Sequence, residues 1–149
     1  MDDEQYRQTR DALDLPPCLY GKALQYGYFT CRHARNITLG EREAVHCQSG
    51  HGHANCKSYY TLTLEKSGFA LGAAHLPAHL TFNKAMQVQI GGMQGAIRLS
   101  ENTPSGADIS ACLTQLKTTT PEFSQLDFSV VMPFIQAFSL RKRVRDKSI

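Results

Sequence analysis

The sequence predicts a small, single-domain α+β protein with a cysteine-rich, loop-rich N-terminal half, a short antiparallel hairpin or sheet, and C-terminal helices. Three observations lead to this prediction. The length of 149 residues fits one domain, and 42% hydrophobic residues supply enough apolar material for a core. Glycines interrupt the region between Cys18 and Cys56, so long regular elements are not expected there. Apolar residues recur at helical spacing towards the C-terminus.

The N-terminal half is predicted to begin with a helix over residues 1–15, which Pro16-Pro17 ends because proline disfavours helix in the residue before it. Residues 16–64 form the cysteine-rich segment. Within it, strand-forming residues at 28–30 and 44–46 predict two short strands, each ending next to a cysteine.

The same segment is predicted to end in a helix over residues 54–64. This prediction places Cys56 in the first turn, where free backbone N–H groups favour a thiolate. The turn-forming composition of residues 48–53 sets the expected start of the helix.

Residues 80–100 are predicted to form a β-hairpin, because apolar and polar side chains alternate over residues 86–90 and Gly91-Gly92 follows. Helices are then predicted within residues 108–143, one over 108–117 and a last one over 127–143. Cys112 belongs to the apolar stripe of the first of these helices, which favours a buried core position over a ligand role.

The net charge of +3 comes largely from a basic tail at residues 141–149. Clustered Lys and Arg could contact nucleic acid or an acidic membrane surface. A solvated helix end, with its cations near the negative pole of the helix dipole, is the simpler interpretation. Nucleic-acid binding is therefore only weakly supported.

The expected location is the cytoplasm, of bacterial type. The acidic start Met1-Asp2-Asp3-Glu4 is not followed by an apolar segment typical of a signal peptide, and no run of about eighteen apolar residues predicts a membrane span. Disulfides are not expected in a reducing compartment, and five cysteines cannot all pair within one chain. The cysteines therefore indicate metal binding or thiol chemistry.

Four of the cysteines are the candidate metal ligands, and 12, 15 and 8 residues separate them in turn: Cys18, Cys31, Cys47 and Cys56. Thiolate is a preferred ligand of both zinc and iron–sulfur clusters. Structural zinc sites usually recruit their ligands as close pairs, and no such pair occurs here. A cluster is larger and tolerates ligands from separate turns, so the spacing favours an iron–sulfur centre, specifically a 4Fe–4S cluster. Zinc is the alternative cofactor, with mixed Cys and His ligands that could include His51 or His53.

Two further groups of residues are assigned to this centre. His33 lies two residues after Cys31, where it could act as an additional ligand. Aromatic residues near the cysteines are expected to shield the centre from water: Tyr20, Tyr26, Tyr28, Phe29, Tyr59 and Tyr60.

The predicted function is that of an iron–sulfur protein in electron transfer or redox sensing, which requires a protein redox partner. The oligomeric state is left open. A zinc-stabilised module that contacts protein or nucleic acid is the alternative. An enzyme is not the expected class, and no catalytic residue is assigned. A thiol enzyme using Cys47 is a weaker hypothesis, since no Asn or Asp can be identified to orient a neighbouring histidine.

Overall fold

A computed structural model of the protein describes residues 2–12, 15–72, 80–100 and 108–139. Its elements follow in chain order: α1 (Asp3–Ala12), α2 (Gly21–Gln25), β1 (Ala34–Leu39), β2 (Arg42–Cys47), α3 (Gly50–Lys66), α4 (Phe82–Met86), a π-helical segment (Gln87–Gly91), α5 (Gly92–Ser100), α6 (Ile109–Thr119), a short 3₁₀ helix (Phe123–Gln125) and α7 (Phe128–Ala137). The α+β class with an antiparallel sheet and C-terminal helices is confirmed. Within the described ranges, no helix combines the length and apolar content needed to cross a bilayer.

The sheet is an antiparallel hairpin with Ala34 opposite Cys47 and Leu39 opposite Arg42. Gly40, in the connecting turn, has a φ of +65°, a conformation that glycine adopts without steric cost. The prediction for β2 is correct in position, but the predicted strand over residues 28–30 is wrong. The tight turn places residues 34–39 opposite β2 instead, and Thr30 forms a single parallel bridge with Asp108.

A third, very short stretch of chain pairs with the free edge of β2. Pro17 forms an antiparallel bridge with His46. The N–H of Cys18 donates to the carbonyl of Val45 at 2.9 Å, and the N–H of Cys47 donates to the carbonyl of Pro16 at 2.9 Å. This pairing holds the start of the cysteine-rich segment against β2.

Helix α3 is the longest element and begins earlier than the sequence predicts. Ser49 caps it by accepting a hydrogen bond from the N–H of Gly52 at 2.9 Å, so residues 50–53 are helical despite their two glycines. Cys56 consequently lies in the second turn of the helix, and the prediction that it occupies the first turn is wrong. Tyr59, on the buried face, donates its hydroxyl to the carbonyl of Gly92 at 2.7 Å.

The hairpin predicted over residues 80–100 is also wrong, because this region consists of α4, the π-helical segment and α5. Residues 88–93 are all buried, so the alternation in the sequence does not mark one exposed face. Gly91 and Gly95 permit a close helix contact rather than a turn. A Cβ on Gly91 would lie 2.5 Å from the Cα of Ile135 in α7, and one on Gly95 would lie 2.7 Å from the Cα of Val131.

Helices α6 and α7 begin close to the residues that the sequence predicts. Asp108 caps α6 by accepting from the N–H of Ala111 at 3.0 Å. Helix α7 ends at Ala137, short of the predicted residue 143, and the next residue is extended. There Phe138 packs edge-on against Tyr28, with ring centroids 5.6 Å apart. The predicted basic tail at residues 141–149 lies outside the described residues.

Candidate metal centre

Four cysteines that are far apart in the sequence line one cleft. They are Cys18, Cys31, Cys47 and Cys56, the four predicted ligands. All four are free thiols, and the cleft opens to solvent. The other lining residues are Leu19, Tyr20, Ala34, His53 and Ile109. No Asp or Glu is among the described residues that line it.

Strand pairing accounts for the convergence of Cys18 and Cys47. The bridge between Pro17 and His46 sets residues 16–18 against β2, so these cysteines occupy diagonal positions on neighbouring stretches of chain. The Cys47 thiol also donates to the carbonyl of Ser49 at 3.3 Å, which fixes it beside the start of α3.

Cys31 and Cys56 arrive from a loop and a helix. The carbonyl of Cys31 accepts from the N–H of Ala34 at 3.1 Å, and Ala34 is the residue opposite Cys47 in the sheet. On its other side, the carbonyl of Thr30 accepts from the N–H of Ile109 at 2.9 Å, which attaches the loop to the start of α6. Cys56 comes from α3, whose first turn follows Cys47 after a two-residue link.

The surroundings of Cys18, Cys31 and Cys56 favour the protonated form of their thiols. Burial, with a smaller contribution from charge on Cys31 and Cys47, raises the pKa of Cys18 to about 11. Burial, followed by charge on the other three cysteines, raises the pKa of Cys56 to about 12. Burial also raises the pKa of Cys31. Because burial destabilises the thiolates of Cys18, Cys31 and Cys56, a cationic group that binds these sulfurs would release protons.

Backbone N–H groups oppose this effect at two of the cysteines. The N–H groups of His33 and Ser110 donate to the sulfur of Cys31 and lower its pKa, against the larger effect of burial. The N–H of Tyr20 does the same for Cys18. Ser110 is in the first turn of α6, where N–H groups lack partners within the helix. Such donors are the groups that stabilise a metal-bound thiolate and set its potential.

The histidine in the cleft is His53 rather than His33. The His33 ring lies against Gly52, where a Cβ would be 3.2 Å from its Cδ2 atom, and His33 is not one of the lining residues. His53 lines the cleft, and its Nε2 atom is 3.2 Å from the carbonyl oxygen of Pro17. The sequence signal for His53 is its position three residues before Cys56, on the same face of a helix.

The predicted aromatic shield is only partly realised. Tyr20 lines the cleft and is 1% exposed, whereas Tyr59 and Phe29 are buried in the core away from the lining. Tyr26 is 54% exposed and shields nothing. The main apolar cover comes from Leu19, Tyr20 and Ile109.

The donor set of the cleft consists of four thiols. Four soft thiols without a carboxylate suit iron–sulfur clusters and zinc. Among the residues that the structure describes, no group of three or more His, Cys, Asp or Glu side chains could hold a metal ion as they are placed.

No known family model, curated protein or solved structure matches this chain. The functional interpretation consequently depends on the chemistry of the cleft. The fifth cysteine, Cys112, is fully buried in α6 and is not one of the lining residues.

Proposed function

We propose that this protein binds a 4Fe–4S cluster through Cys18, Cys31, Cys47 and Cys56, and that it acts in electron transfer or redox sensing. The observation that supports the proposal is the meeting of four free thiols, from four separate segments of chain, in one cleft. Four cysteine thiolates are the usual ligand set of such a cluster.

The bound cluster would supply one-electron chemistry. The protein residues would bind it, exclude water and compensate its charge. Leu19 and Ile109 give the cleft apolar walls, which lower the local dielectric constant. The N–H groups of His33 and Ser110 would stabilise the ligating sulfur of Cys31. Each of these contacts would affect the reduction potential of the cluster.

An electron-transfer role requires a protein partner. Cys18, Cys31 and Cys56 are each partly exposed, so the proposed centre lies near the protein surface. Electron-transfer encounters commonly use small, transient interfaces of less than about 1,200 Å². A partner that docks over this cleft would thus come close to the sulfurs without a large interface.

Anaerobic reconstitution with ferrous iron and sulfide tests the proposal. The protein is expected to turn brown and to retain iron and acid-labile sulfide in equal amounts after desalting. Alanine substitution at each of the four cleft cysteines should lower both contents. Cys112→Ala is the matched control, because it removes a buried cysteine outside the cleft and should leave both unchanged.

Two outcomes would contradict the proposal. A colourless protein that retains zinc, but neither iron nor sulfide, would favour the zinc-stabilised binding module. Iron retention that is equally insensitive to all five substitutions would show that the cleft does not hold the metal.

A further inference from the structure

The hydroxyl group of Tyr20 is a buried polar group at the wall of the cleft. Tyr20 is 1% exposed and lines the cleft, and its hydroxyl has no hydrogen-bond partner among the described residues. Phenylalanine would fill the same volume without an unpaired polar atom. A buried hydroxyl without a partner is destabilising, so its presence indicates a partner that is not a protein group of the described chain.

Cys56 lacks the backbone donors that Cys18 and Cys31 have. Backbone N–H groups donate to the sulfurs of Cys18 and Cys31. Cys56 lies inside α3, where N–H groups are used in the i to i−4 bonds of the helix, and no donor to its sulfur is found in the described ranges. Its thiolate would therefore be the least compensated of the three.

The position of Tyr20 suits this need. It follows Cys18 by two residues, and its ring packs edge-on against Tyr60 of α3, one turn after Cys56, with centroids 5.7 Å apart. Burial raises the pKa of Tyr20 well above its ordinary value, and charge on Tyr59 and then on Cys56 raises it further, so the Cys56 thiol lies in the electrostatic surroundings of the Tyr20 hydroxyl. A protonated thiol is a weak acceptor, whereas a thiolate accepts a strong, charge-assisted hydrogen bond.

We propose that the Tyr20 hydroxyl donates a hydrogen bond to the sulfur of Cys56 when that sulfur ligates the cluster. The inference rests on the proposed function and assigns Tyr20 as a residue that sets the potential of the centre. A hydrogen bond to a ligating sulfur stabilises the more negative, reduced state more than the oxidised state, so it raises the reduction potential.

Tyr20→Phe tests the inference in two states of the protein. In the metal-free protein, the variant should raise the melting temperature by about 3 °C, because an unpaired buried hydroxyl is removed. In the loaded protein, the variant should lower the ratio of reduced to oxidised cluster about tenfold at a fixed solution potential. This change corresponds to a reduction potential about 59 mV more negative. Tyr60→Phe removes a hydroxyl from the adjacent ring and should change neither quantity.

A higher melting temperature without metal, combined with a lower reduction potential of the loaded protein, distinguishes a hydrogen bond to the centre from ordinary packing. Normal cluster uptake with an unchanged potential would overturn the role of Tyr20 and leave the proposed function intact. A lower melting temperature of the metal-free variant would also overturn it, because that result would mean the hydroxyl already has a protein partner. If the unmodified protein takes up no cluster, the proposed function itself fails.

Discussion

The grouping of buried thiols predicts that the metal-free protein loses stability in mild alkali. In the unfolded chain, a thiol ionises near its ordinary pKa of 9.0, whereas burial and the neighbouring cysteines hold the pKa of Cys56 at about 12 in the folded state. Between these values the unfolded state binds fewer protons than the folded state. The free energy of unfolding must therefore fall as the pH rises from 9 towards 12.

The magnitude follows from the two pKa values of Cys56. Raising the pH from 8 to 10 ionises this thiol in the unfolded chain but not in the folded one, which removes about 1.4 kcal/mol of stability. Cys18, with a pKa of about 11, contributes a loss of similar size. In Cys56→Ala the decrease between pH 8 and pH 10 should consequently be smaller by about 1.4 kcal/mol.

Urea unfolding of the metal-free protein, under reducing and anaerobic conditions, measures this difference. Between pH 6 and pH 8 the two proteins should change in parallel, because neither state of Cys56 ionises there. Equal decreases for both proteins between pH 8 and pH 10 would refute the argument that burial and neighbouring thiols suppress ionisation of Cys56. The loaded protein should lack the Cys56 contribution, since a ligating sulfur has no proton to lose.

Two further predictions concern the elements that position the cleft. Gly91→Ala would place a Cβ 2.5 Å from the Cα of Ile135 and 2.7 Å from the carbonyl oxygen of Phe134, both backbone atoms of α7. Thermal unfolding should show a loss of about 3 kcal/mol, or roughly 6–12 °C. Gly50→Ala, where no atom lies within 4 Å, should cause no loss, and a neutral Gly91→Ala would contradict the close helix contact. Asp108→Ala removes the cap of α6 and should cost about 1 kcal/mol in urea unfolding. Arg32→Ala, which removes a 62% exposed ion-pair partner of Asp108 at 3.4 Å, should cost less than about 0.5 kcal/mol, and equal losses would assign the effect to the ion pair instead.

Sequence patterns predicted the elements in which one face is apolar. Helices α6 and α7 begin after Asp108 and Asp127, both of which cap through their side chains. Strand β2 also follows from its composition. The alternation of apolar and polar residues wrongly predicted a hairpin at residues 86–93. A segment that is buried on nearly all sides carries no periodic signal, and the glycines of this segment permit close helix packing rather than a turn.

The residue types of the candidate site were predictable from the sequence, whereas its geometry was not. The density of cysteines identified Cys18, Cys31, Cys47 and Cys56 before any contact was known. The pairing of residues 16–18 with β2 involves only three residues and leaves no recognisable strand pattern. His33 was predicted as an additional ligand because it lies close to Cys31 in the sequence. Closeness in sequence does not show which side of a loop faces the cleft, and His53 lines the cleft instead.

Diffraction at the iron absorption edge from crystals of the anaerobically loaded protein tests the central claim most directly. The account predicts that all anomalous iron scattering lies inside the cleft, bonded to the Sγ atoms of Cys18, Cys31, Cys47 and Cys56. Iron bound elsewhere, or a cleft whose four sulfurs remain without iron, would contradict it.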